Sequence, residues 1–296
     1  MTGRVGRWRL TIYKNLLVLF PLVRVLLCSR ISCIREQIDT KAMLLIGAYF
    51  DESGVHSDAL VATVAGFVAE ADVWIRIETE WLAVLGEFAD RGVTAFHTAD
   101  CLAGTGQFER LQGWERAYVT DNLTRIIVRN NPTPIWASVI VEDWNFVNEP
   151  ELRALFPSAY HLCFDHCMAR LYEWSKAHGD VVVAPVFAEQ NEYEERAREI
   201  FRAYQGHSLH GKLFHSISFA LANKLPALQT ADLLAHELSE YWTTIEYQRS
   251  PKSAFCIRSS LAKGEGKLDS LPLGGCYDKL SLNNLVRQLR ERRERA

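Results

Sequence analysis

One stretch limits what this chain can fold into more than any other. An apolar run from Met43 to Phe50 stops abruptly at Asp51 and Glu52, and Ser53-Gly54 follows. Leu44, Leu45, Ile46, Tyr49 and Phe50 suit a buried strand, and Ser-Gly is a turn signal that closes it. Alternate side chains of a strand face opposite ways, so Asp51 shares a face with Tyr49 and Gly47 while Glu52 points to the other. A carboxylate at the end of a buried strand is costly unless something pairs with it. A divalent metal is one such partner; capping of the turn by the Asp51 side chain is the other reading.

The stretch that follows agrees with a strand-first domain. Ala59–Ala69 is rich in valine and small residues. Joined to the first run by a short turn, it predicts an antiparallel hairpin. Helical spacing over 71–90 puts Trp74, Ile77, Trp81, Val84, Leu85 and Phe88 on one face. Val93 to His97 reads as a short strand delivering His97 and Asp100. A helix over 114–129, a strand over 135–141 and a long helical region over 151–178 come next, the last with a start after Pro157 as the alternative. Strands are expected at 181–188 and 213–219, and helices at 193–204, 228–242 and 280–295. Strands alternating with helices after an opening hairpin argue for one α/β domain with a mixed sheet.

Charge and cysteine content narrow the function classes. The net charge of −3 argues against phosphate gripping by the whole surface. Residues 1–42 carry eight Lys/Arg against Glu36 and Asp39, a balance of +6, which leaves −9 for the rest. Seven scattered cysteines do not make a secreted disulfide framework, and a reducing, cytoplasmic location is expected. Cys163 and Cys167, with His161 and His166 nearby, offer a zinc reading against one of core packing. The apolar stretch Leu10–Cys28 is broken by Lys14, Pro21 and Arg24, and its longest clean run, Leu16 to Val23, falls short of the roughly 20 residues that span a bilayer. No stable membrane span is expected. The domain is therefore expected over 43–249, with 1–42 as an extension outside it and 250–296 as a tail carrying a basic helix. An over-extended reading frame upstream of Met43 and a membrane-directed segment are both open for the extension.

Three acids occupy comparable places. Asp51 ends the first strand, Glu189 ends the strand 181–188, and Asp232 lies early in the helix after 213–219. Functional groups of open α/β sheets gather at such strand ends. On the 228–242 helix Gln229, Asp232 and His236 fall on one stripe, opposite Leu228, Ala231, Leu234, Ala235, Leu238 and Trp242. That stripe is either simply solvated or turned into a site. His97 has the pKa for proton transfer, and a structural role is the competing reading. Clustered carboxylates are what metal-dependent phosphodiester cleavage needs, since divalent ions stabilise the attacking and leaving oxygens. Glu80, Glu142, Asp143, Asp165, Glu192, Glu194 and Glu195 read as surface charge.

Four elements occur in an order that resembles the bacterial and phage family called domain of unknown function 3800. They are Asp51-Glu52-Ser53-Gly54, Phe96-His97-Thr98-Ala99-Asp100, Val186-Phe187-Ala188-Glu189 and Gln229-Thr230-Ala231-Asp232-Leu233-Leu234-Ala235. The resemblance covers about two thirds of the chain, within 43–245. It implies a ribonuclease H-like mixed sheet flanked by helices, and Mg²⁺ or Mn²⁺ held by Asp51, Glu189 and Asp232 with Glu52 and His97 beside them. It also implies a nuclease acting on nucleic acid, in the company of phage defence or mobile elements. Glu189 stands where the family often has Asp, which shifts that ligand by a methylene. Two alternatives stand beside the nuclease: a non-catalytic nucleic-acid or protein-binding module on the same fold, and a membrane-associated hydrolase using residues 1–42.

Overall fold

The computed structural model describes residues 46–56, 58–207, 211–247 and 273–295. The chain divides into units 1–43 and 44–296. All of the first unit, and with it the expectations for residues 1–42, lies outside the described residues, as does 248–272.

Six strands form one mixed sheet: β1 (Ile46–Ser53), β2 (Val61–Glu70), β3 (Thr133–Ile140), β4 (Val183–Ala188), β5 (Ser218–Ala220) and β6 (Gly274–Tyr277), in the order β5-β4-β1-β2-β3-β6. β1, β2 and β3 are antiparallel neighbours. β4 runs parallel to β1, β5 parallel to β4, and β6 parallel to β3. The class is α/β, and the opening hairpin forms as its sequence predicts. β1 is central and paired on both sides, which is why its run is apolar on both faces. Gly66 lets β2 close on it: a Cβ there would lie 1.9 Å from the Tyr49 carbonyl oxygen.

Helices cover both faces. They are α1 (Ala71–Gly86), α2 (Thr98–Ala103), α3 (Gly113–Asn130), α4 (Val141–Phe146), α5 (Pro150–Leu155), α6 (Ala159–Ala177), α7 (Glu194–Gly206), α8 (Pro226–Tyr247) and α9 (Lys279–Arg295). On one face Ala48, Phe50, Val64 and Phe187 pack with Cys163, Phe164, Cys167 and Met168 of α6. On the other, Ala65 and Phe67 pack with Trp74 and Trp81 of α1, Leu123 of α3 and Leu234 of α8. Each of these buried large side chains stabilises by about 1.5–3 kcal/mol. The two cysteines donate to the β2 carbonyls of Ala62 and Val64, so their neighbourhood is core and the zinc reading is set aside. Among the described residues no helix is long and apolar enough to cross a membrane.

The structure corrects five expectations. Residues 93–97 join no sheet, because the donors at 94–96 are taken by side chains: Thr94 N and Ala95 N bond to Gln107 Oε1, and Phe96 N bonds to Gln229 Oε1. The helical region 151–178 is two helices, since Phe156 precedes Pro157 and is pushed to an extended ψ of 93°. The strand expected over 213–219 shrinks to β5 plus one bridge at Phe214. Gln205 Nε2 occupies the carbonyls of Phe214 and His215 at 3.3 and 2.9 Å. The described end of the 250–296 segment is no detached tail, because β6 extends the sheet beyond β3 and α9 buries Leu282 and Val286. Asp165, read as surface charge, is half-buried and accepts from the Tyr204 hydroxyl at 3.2 Å.

Candidate active site at the end of the central strand

β1 runs three residues further than the apolar pattern suggests, so Asp51 and Glu52 are paired strand residues, opposite Ala65 and Val64 of β2. Asp51 continues the face of Gly47 and Tyr49, where a Cβ on Gly47 would meet the Trp74 ring of α1. It is only 7% exposed. Its Oδ1 accepts from the Glu52 backbone N–H at 2.8 Å, and its carboxyl shares a hydrogen bond with that of Glu52. Gly54 then turns the chain with a φ of +68°, beside the Val61 carbonyl, where any side chain would clash.

α8 supplies the second carboxylate. Gln229 and Asp232 of the polar stripe are 2% and 8% exposed, which overturns the solvated reading. Gln229 Oε1 accepts from Trp81 Nε1 and Phe96 N, each at 2.9 Å. One turn later Asp232 Oδ2 accepts from Thr98 N at 2.7 Å and Thr98 Oγ1 at 2.8 Å. The two side chains thus clamp the backbone on either side of His97. The stripe is polar because an unpaired segment needs acceptors, and buried because that segment covers it.

These acids act on one another. Burial first, then the charges of Glu52 and Asp232, hold the Asp51 carboxyl well above the ordinary carboxylate range. Glu52 is pushed up to about 7, by burial first and by Asp232; its bonds to Gln190 and Asp51 pull the other way. Gln190 Nε2 donates to Glu52 Oε1 from just beyond β4. Among the described residues no Lys, Arg or His forms an ion pair with Asp51, Glu52 or Asp232.

The other two residues singled out in the sequence are placed differently. Glu189 is exposed just past β4, its N–H bonded to Ala220 O at 3.0 Å, and it is not among the charges that raise Asp51. The side chain of His97 is 58% exposed, with Nδ1 3.0 Å from Asp100 Oδ2. Sequence reasoning missed Thr98, Gln190 and the reach of Gln229. Gln190 adjoins an acid already singled out, and Thr98 lies inside the Phe96–Asp100 element, where only His97 and Asp100 drew attention. Among the described residues no group of three or more His, Cys, Asp or Glu is placed to hold a metal ion. The donor chemistry still suits a hard cation: carboxylate oxygens, buried and, among the described residues, without an ion-paired cationic side chain. No family model and no curated protein matches this chain.

Proposed function

We propose that the protein is a divalent-metal-dependent phosphodiester hydrolase acting on nucleic acid, with a ribonuclease H-like fold and kinship to the domain of unknown function 3800 family. One observation carries this reading. Asp51 and Asp232, each less than a tenth exposed, come from β1 and α8 close enough for the Asp232 charge to raise Asp51, and among the described residues no Lys, Arg or His forms an ion pair with either. Such an arrangement is costly in the absence of a cation, and a Mg²⁺ or Mn²⁺ ion removes the cost. The sheet supports the reading as well. A three-stranded antiparallel meander is continued at its first strand by parallel β4 and β5, an order compatible with that fold.

Asp51 and Asp232 would hold the ion, with Glu52 next to Asp51 on β1. The metal would supply Lewis-acid activation of water and charge stabilisation at the phosphate. Thr98 engages one oxygen of Asp232 with two bonds and so orients the other. Glu52, raised to about 7, can exchange a proton near neutrality. Glu189, just past the strand parallel to β1, is exposed and free to meet substrate or a second hydrated ion from solvent.

That exposed placement of Glu189 also favours a second reading, a nucleic-acid or protein-binding module that has kept the acids without the full ligand set. Cleavage separates the two. The full chain is incubated with single-stranded RNA, single-stranded DNA, duplexes and hybrid, with Mg²⁺ and then Mn²⁺, beside Asp51→Asn and Asp232→Asn. The hydrolase reading expects cleavage by the parent and a loss of about 100-fold or more in each variant. No cleavage of any substrate, with salt-sensitive nucleic-acid binding instead, would establish the module.

A further inference from the structure

Tyr160, the second residue of α6, is 2% exposed and its hydroxyl is buried with no hydrogen-bond partner among the described residues. The ring itself is well held. It stacks on Tyr193 at 4.6 Å and 19°, and lies edge-on to His161. Tyr193 in turn donates to Val55 O at 3.1 Å, in the turn after β1. Ser158 bonds His161 Nδ1 at 2.7 Å, and His161 Nε2 reaches Tyr193 O at 3.4 Å. The start of α6, the segment after β4 and the end of β1 are therefore one packed unit, and Glu52 is tied into it by Gln190.

A phenylalanine would make the same stack without the roughly 1–3 kcal/mol cost of an unpaired buried hydroxyl. An orphaned donor in a well-packed wall therefore calls for a reason. The charges that bear on this phenol are, in order, Glu52, Asp51, Cys167 and Glu194. Burial and those acids raise it well above its ordinary value, so it remains a donor at every physiological pH. Glu52 continues the strand face of Ala48 and Phe50, the face that α6 covers.

We propose that Tyr160 is a positioning residue for Glu52: when a divalent cation takes up Asp51 and Asp232, the Glu52 carboxyl gives up its bond to Asp51 and accepts one from the Tyr160 hydroxyl. The phenol then fixes the orientation of the acid beside the ion. This rests on the metal-dependent reading above.

The test uses the full chain as parent, Tyr160→Phe and Asp51→Asn. Thermal unfolding is followed without metal and across a Mn²⁺ titration into the millimolar range. Tyr160→Phe should unfold at the parent's temperature or higher without metal, because it sheds an unpaired hydroxyl and keeps the stack. Its apparent Kd for Mn²⁺ should rise about tenfold, and any cleavage should lose kcat with KM for nucleic acid unchanged. Parent-like Mn²⁺ binding by Tyr160→Phe overturns the role of Tyr160 and leaves the metal site standing. A lower unfolding temperature of the metal-free variant overturns it too, since the hydroxyl would then already be paired in the fold. Absence of a Mn²⁺ response in the parent, or its persistence in Asp51→Asn, overturns the metal reading and this proposal together.

Discussion

Replacing Glu52 by glutamine should stabilise the metal-free protein at high pH, and the size of the effect follows from the site. The carboxyl is raised from an ordinary 4.5 to about 7, chiefly by burial and by the Asp232 charge. A group whose folded pKa is raised contributes its full stability below the unfolded value and loses it as pH rises through the folded value. The window for Glu52 is therefore pH 4.5 to about 7. Above it the ionised form costs the fold about 3 kcal/mol, part of which belongs to the Asp51–Glu52 pair as a unit. Glutamine keeps the shape and still accepts from Gln190 through its amide oxygen. Urea unfolding in the presence of a chelator should thus show Glu52→Gln more stable than the parent by about 2–3 kcal/mol at pH 8, with Tm higher by about 4–10 °C. Below pH 4.5 the two should coincide, and saturating Mn²⁺ should reverse their order. A Glu52→Gln protein that follows the parent's pH profile, or is weaker at pH 8, would refute the account of Glu52 as a destabilising buried acid.

Two further perturbations probe the clamp around His97. Gln229→Ala leaves Trp81 Nε1 and Phe96 N without their shared acceptor, so equilibrium unfolding should show a loss of about 3 kcal/mol. Thr98→Val keeps its shape and its N–H bond but removes the hydroxyl from Asp232. It should lower stability by about 1–2 kcal/mol and weaken Mn²⁺ binding several-fold by calorimetry, as a freed Asp232 carboxylate loses its fixed orientation.

What the sequence makes legible, and what it hides, divides along physical lines. The β1–β2 hairpin is readable because two apolar runs flank a Ser-Gly turn, and strand alternation alone puts Asp51 on the Tyr49 face. The α8 stripe is readable as spacing, but not as a buried surface. What covers it is residues 93–98, more than 130 positions away in the chain, and no local pattern reports that. Side-chain acceptors mislead at 93–97, where β-branched and aromatic residues suggest a strand whose hydrogen bonds in fact go to nearby Gln107 and distant Gln229. β6 escapes notice because Gly274-Gly275-Cys276-Tyr277 has weak strand propensity and forms only along the β3 edge. Among the acids, position at a strand end did not separate Glu52 from Glu189. Both lie beside the end of a strand, and only the paired β1–β4 geometry, with Gln190 reaching across, puts Glu52 with Asp51 and leaves Glu189 exposed.

The central claim is that the buried carboxylates of Asp51 and Asp232 share a divalent cation. Calorimetric titration of Mn²⁺ into the metal-free full chain at pH 7.5, beside Asp51→Asn and Asp232→Asn, addresses it without needing the substrate. The account predicts saturable binding by the parent, with proton release as the raised Asp51 and Glu52 carboxyls ionise, and a loss of about tenfold or more in affinity in each variant. No binding by the parent, or binding that both variants retain at full strength, would contradict it.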